Sequence, residues 1–144
     1  MKTRFLILIV VVCIFSLIGQ ALPSPSQAEQ STMDGVFTPE QAGRGRELVI
    51  KIGCSDCHNS DLGGGLEETP SLVGNEFIAI WKDLYLKDLD SQLTSMPGDG
   101  SYKLNAQERV DIMAFLLGIN GAPVGQNELK PDPAVLAKIK LKFP

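Results

Sequence analysis

The chain has 144 residues, a length that suits one domain. Its 17 acidic residues outnumber 13 basic ones, for a formal charge of −4, which argues against nucleic acid or an anionic membrane as partner. Lys2 and Arg4 precede an apolar run from Phe5 to Ile18 that is broken only by Cys13 and Ser16, and Ser26-Gln27-Ala28 has the small-x-small pattern of a signal-peptidase site. Residues 1–28 therefore read as a signal peptide cleaved after Ala28, with Ala21 as the alternative site. The apolar run, about 14 residues, falls short of the ~18–20 that span a bilayer, so an uncleaved membrane anchor is the lesser reading. Val12 before Cys13, and more apolar sequence after it, argue against a lipoprotein. The mature, periplasmic chain would run 116 residues from Glu29 and, having lost two bases and no acid, carry 11 basic and 17 acidic residues, a charge of −6.

Residues 29–37 are polar and small and read as a flexible leader. Thr38-Pro39-Glu40-Gln41 then starts a helix. Thr38 can cap, Pro39 suits the first turn, and Gln41 can reach back as in a capping box. This helix is expected to reach Ile52 and stop at Gly53. Cys54 to Gly74, rich in Gly, Asp, Asn and Pro, reads as loop. Short helices are expected over Asn75 to Lys82 and Lys87 to Thr94, with a break near Leu84-Tyr85, and Ser95 to Tyr102 reads as a Pro/Gly loop. Asn105 with Glu108 starts a last helix that carries Val110, Met113, Ala114 and Leu117 on one face and ends at Gly118. A Gly/Pro-rich stretch and a short segment from Ala134 to Phe143 close the chain, and no strand pair stands out. The expected class is all-α, with four to five short helices and long loops. Loops that long need a reason, and a cofactor serving as part of the core supplies one.

Cys54-Ser55-Asp56-Cys57-His58 has the C-x-x-C-H spacing of covalent haem attachment. Two thiols three residues apart meet the two vinyl groups of the porphyrin as thioethers, and the next side chain offers an imidazole nitrogen to the iron. The competing readings are a disulfide, a thioredoxin-like pair and half of a zinc site. A thioredoxin pair follows a strand in a βαβ unit, whereas this motif follows a helix. A structural zinc needs four ligands, and the mature chain offers no other Cys or His.

His58 is the only histidine, so bis-His ligation within one chain is excluded. Met33 lies in the leader, and Met113 falls on the apolar face of the last helix, where packing explains it. Met96, in Ser95-Met96-Pro97-Gly98, is an apolar residue in a loop with no packing duty unless it faces the haem. Met96 is therefore the expected second iron ligand, against Met113 or an open position. The Pro70 carbonyl is a candidate acceptor for the other nitrogen of His58, the alternative being that Pro70 only shapes a turn. Gly43 and Gly45 suggest a close helix approach in the first helix. Trp81 suits a haem or propionate contact and core packing equally.

Taken in order, Gly45, Cys54 to His58, Pro70-Ser71-Leu72-Val73-Gly74, Ser95-Met96-Pro97 and Ala114-Phe115-Leu116-Leu117 make the chain resemble the class I monohaem cytochromes c over residues 38–119. The resemblance implies a cytochrome c domain there, with residues 120–144 as a C-terminal extension packed on it. It also implies a Pro70 carbonyl that accepts from His58, Met96 as distal ligand, and first and last helices that cross at Gly45 against Phe115. Two departures stand out. Val49 replaces a frequent aromatic four residues after the glycine, and Gly53 adds a residue before Cys54. A finer likeness, from Phe77, Trp81 and Leu104 to Asn120-Gly121-Ala122-Pro123-Val124-Gly125 and Glu128-Leu129, is to cytochromes found with periplasmic PQQ-dependent dehydrogenases.

Cys54, Cys57, His58 and Met96 are thus the expected cofactor-binding residues for one haem c, with His58 and Met96 as the metal ligands. The expected function is electron transfer, with no catalysis by the chain itself. The expected partners are redox proteins, among them a PQQ-dependent dehydrogenase and a second cytochrome or terminal oxidase. The competing function is a haem enzyme or gas sensor with a labile Met96. It is poorly staffed for acid–base work, with no second histidine and Asp99 as the nearest acid.

Overall fold

The first long helix begins as its residues dictate. In this computed structural model, which describes residues 29–65 and 69–144, α1 spans Pro39–Ile52 with Thr38 as its cap, the Thr38 hydroxyl accepting the Gln41 N–H at 3.2 Å. The Gln41 side chain does not complete the box. It is fully buried and turns inward, where its Nε2 donates to the Leu129 carbonyl at 2.9 Å and its Oε1 accepts the Leu129 N–H at 2.8 Å. Gly53 ends α1 in the left-handed region at φ +76°, its N–H turned back on the Ile50 and Val49 carbonyls.

The chain then re-enters helix at once. The loop expected from Cys54 onward starts instead as α2, Cys54–His58, because the glycine reverses the backbone for a single residue and leaves one free helical turn beyond it. After that come α3 (Gly74–Trp81), α4 (Leu86–Leu93), α5 (Ala106–Ile119) and α6 (Pro133–Leu136). Asn105 caps α5 as expected, accepting from the Gln107 and Glu108 N–H groups at 2.9 and 3.0 Å, while Glu108 reaches back to the Asn105 N–H at 2.9 Å. α5 runs past Gly118, where a built Cβ would make an ordinary 3.6 Å contact with the Phe37 ring, so nothing there forces the helix to stop.

Residues 29–37 do not form the flexible leader that their composition suggests. Gln30–Ser31 form β1, which pairs in parallel with β2 (Ile139–Lys140), and Phe37 and Thr32 are fully buried. The Thr32 hydroxyl accepts the Lys142 N–H at 2.8 Å. Polar composition hid this pairing because the partner lies 110 residues away. The strands are two residues each, and among the described residues the architecture is mainly helical, in keeping with the all-α expectation. The C-terminal stretch packs against the helices. Leu129, Leu136, Ile139 and Leu141 are buried, and the Phe143 ring meets Phe77 edge-on at 5.9 Å. Among the described residues no helix is long and apolar enough to cross a membrane. The expected signal segment, with Cys13, lies outside the described residues.

α1 and α5 pack face to face. A Cβ on Gly45 would overlap the Asp111 carbonyl and come within 2.9 Å of the Phe115 Cβ. Beside this contact Arg44 donates from Nε to Asp111 Oδ2 at 3.0 Å and from Nη1 and Nη2 to both Glu128 oxygens at 2.9 Å. The paired carboxylates hold the Arg44 guanidinium charged and push its pKa further up, the Asp111 hydrogen bonds contributing most. Gln41 and Gln107 also donate to the buried Asp111 carboxylate, at 3.2 and 2.8 Å, so its charge is hydrogen-bonded on both oxygens, as burial requires. Gly43, by contrast, has nothing within 4 Å of a built Cβ.

The two glycines therefore predict opposite outcomes. Gly45→Ala should destabilise the protein by about 2–3 kcal/mol by forcing the helices apart. Gly43→Ala should stabilise it by about 0.5–1 kcal/mol through helix propensity and a less flexible unfolded chain. Urea midpoints at unchanged slope measure both, and a loss at Gly43 with none at Gly45 would refute the crossing.

Candidate functional site

The short α2 turns a sequence motif into geometry. Residues three apart on a helix are neighbours on one face, so Cys54 and Cys57 share a side, and His58 follows at the end of the turn. His58 is 9% exposed, and its Nδ1 lies 2.8 Å from the Pro70 carbonyl oxygen. A carbonyl can only accept, so Nδ1 carries a proton, and in the neutral ring Nε2 keeps its lone pair. The loop behind is drawn tight. The Gly64 N–H donates to the His58 carbonyl at 3.1 Å, and a Cβ on Gly65 would overlap the Cys57 carbonyl.

These residues line a cavity of about 310 Å³, at the lower end of the range for small-molecule sites. Cys54, Cys57, His58 and Pro70 contribute from the motif side, and Trp81, Leu93, Met96 and Pro97 from the segments around α3 and α4. Val49 and Ile52 of α1 and Ile112 and Leu116 of α5 complete an apolar lining. Ile112 and Leu116 lie off the face that the sequence assigned to α5. With Val110, Met113 and Leu117 packed in the core, α5 is buried on nearly every side, and the cavity lies against its second apolar face.

The cavity gathers all four residues expected to bind the cofactor. Among the described residues, Met96 is the methionine that lines it, whereas Met113 is fully buried in the core and Met33 is exposed at the N-terminal edge. Trp81 stands between the cavity and the core. It lines the cavity, and its ring lies 6.2 Å from Phe77, tilted by 44°. Burial pushes the Cys54 thiol up, with smaller contributions from Cys57 and Asp56, so Cys54 is a protonated thiol at neutral pH and not an activated nucleophile. Among the described residues no three His, Cys, Asp or Glu side chains gather as a metal group.

Two contributors escaped the sequence reading. Ser71 is buried and ties the turn after Pro70, donating to the Val73 carbonyl at 2.7 Å and accepting the Val73 N–H at 3.1 Å. Asn120, also buried, joins α5 to the Leu72 to Gly74 backbone. An asparagine just past a helix end is a known capping signal, but its second partner lies far away in sequence.

No protein family, curated protein or solved structure matches the chain at the level that would show kinship.

Before any cofactor is attached, Cys57, which is exposed, should react with iodoacetamide several-fold faster at pH 8 than Cys54, which is half-buried and has a raised pKa. Peptide mapping of a time course reads the ratio, and equal rates would contradict the burial of Cys54.

Proposed function

We propose that the chain is an exported class I monohaem cytochrome c that carries single electrons in the periplasm, its cytochrome c fold spanning residues 38–119. The observation that carries this reading is the shared cavity. Two thiols on one helical face, an imidazole with a free Nε2 and one thioether line a single apolar pocket. Cys54 and Cys57 would hold a haem c through two thioethers, and His58 and Met96 would ligate its iron. When bound, the haem supplies a one-electron iron couple.

The chain's own residues set the terms. Donation from His58 Nδ1 to the Pro70 carbonyl fixes the ring's orientation and tautomer. The soft, neutral Met96 thioether favours the ferrous state and raises the potential. Val49, Ile52, Ile112 and Leu116 give the cavity apolar walls. If His58 and Met96 both ligate the iron, a substrate would have no place to coordinate, and this favours a carrier over an enzyme or gas sensor. The acidic balance fits a redox partner with a basic patch. A PQQ-dependent dehydrogenase as donor and a second cytochrome or terminal oxidase as acceptor follow from the sequence resemblance.

Protein exported to the periplasm should give a pyridine haemochrome spectrum of haem joined by two thioethers, and Cys57→Ala should impair attachment. Purified wild-type protein without covalent haem would end this reading. Met96→Ala should keep the haem, lower the reduction potential, and let the ferrous protein bind CO, which the wild type should resist at neutral pH. Rapid CO binding by the wild type would favour the sensor instead. With the physiological partner, the association rate should fall as salt is raised through the range where the Debye length drops from about 10 to about 3 Å, and a flat rate would contradict electrostatic steering.

A further inference from the structure

Asn120 follows the last residue of α5 and is 6% exposed. Its side-chain amide is fully engaged. Nδ2 donates to the Leu116 carbonyl at 2.8 Å, which also accepts the Asn120 backbone N–H at 3.2 Å. Nδ2 also donates to the Leu72 carbonyl at 2.9 Å, and Oδ1 accepts the Gly74 N–H at 2.8 Å. The last two partners belong to the strap from Pro70 to Gly74, whose other end presents the Pro70 carbonyl to His58 Nδ1 at 2.8 Å. Between these ends the strap is short and tied by Ser71, which bonds both polar groups of the Val73 backbone, while the Leu72 N–H donates outward to the Leu62 carbonyl at 2.8 Å. A displacement of Leu72 and Gly74 therefore reaches Pro70 with little slack to absorb it.

We infer that Asn120 is a positioning residue for His58. By anchoring the strap to the end of α5, it holds the Pro70 carbonyl where that carbonyl orients the imidazole and keeps it electron-rich. The consequence for the iron rests on the haem reading above, while the anchoring of His58 does not. Outer-sphere acceptors of this kind tune a ligand's basicity and orientation, and here the acceptor is backbone, so its place depends on what anchors the backbone. Asn120 also ties the strap to the carbonyl of Leu116, a residue that lines the same cavity as His58.

The test compares wild type, Asn120→Ala, Asn120→Asp and a control, Arg109→Ala, in the full exported protein. Arg109 pairs with Asp90 at 2.7 Å, joins α4 to α5, and makes no bond to the strap. Two readings are taken: solvent exchange of the His58 Nδ1–H by NMR, and the reduction potential. Asn120→Ala should speed the exchange about 10-fold or more and raise the potential, because a less electron-rich imidazole stabilises ferric iron less. Asn120→Asp keeps an acceptor for Gly74 but no donor for Leu72, and should fall between. Arg109→Ala should lower the urea midpoint and leave the His58 exchange at the wild-type value. Folded Asn120 variants with wild-type exchange and potential would overturn the proposal, as would exchange sped equally in Arg109→Ala. Should neither Asn120 variant fold, native-state exchange in the wild type decides: the Gly74 N–H and the His58 Nδ1–H should open with the same free energy, and unequal energies would refute the coupling. A wild type without haem would sink the cytochrome reading alone, since ring exchange in that chain still tests Asn120.

Discussion

The close approach of α1 and α5 is the constraint on which the rest of the structure depends. It exists because Gly45 has no side chain where the Asp111 carbonyl passes. It is also guarded from both flanks: Gln41 and Arg44 reach across to Asp111, and the same two residues hold Leu129 and Glu128 of the C-terminal stretch. One set of polar side chains on α1 thus organises the helix crossing and the docking of the last quarter of the chain. A buried carboxylate is costly unless it is hydrogen-bonded, and Asp111 is: Oδ1 accepts from Gln41, Arg44 and Gln107, and Oδ2 from Arg44. The cost of disturbing any member is therefore shared by the others.

The crossing also explains where the cavity lies. α1 ends at Gly53 and α2 starts on the next residue, so the position of Cys54 to His58 follows from the placement of α1. α5 supplies Ile112 and Leu116 to the same space from its second apolar face, and its C-terminal cap, Asn120, holds the strap that faces His58. Packing, pocket and the His58–Pro70 hydrogen bond are consequently parts of one arrangement. The N-terminal residues belong to it as well, since Phe37 packs beside Gly118 of α5 and its carbonyl accepts the Gly125 N–H at 2.6 Å.

Much of this was legible in the chain itself, for identifiable reasons. The starts of α1 and α5 follow from local capping chemistry, with Thr38-Pro39 and Asn105 with Glu108 needing only neighbours within three residues. The candidate site was legible because its motif is contiguous: Cys54, Cys57 and His58 lie within five residues. Met96 was legible by elimination, as an apolar residue without a packing duty. What was missed is non-local. The burial of Thr32 and Phe37, the inward turn of Gln41 and the double role of Asn120 each depend on a partner 46 or more residues away. Cys54 to His58 was taken for loop because Gly, Asp and Asn dominate the stretch, yet a left-handed residue at Gly53 allowed a new helical turn.

By itself, the sequence determined the helix starts, the spacing of two thiols and an imidazole, and the lack of any second histidine. These are covalent or near-neighbour properties, set before the chain folds. Tertiary structure alone decided that Met96 and His58 line one cavity, that the Pro70 carbonyl meets Nδ1, and that Asn120 anchors the strap between them. Those contacts join segments far apart along the chain, and no local preference encodes which of the many polar groups available will meet once the apolar faces of α1 and α5 have closed.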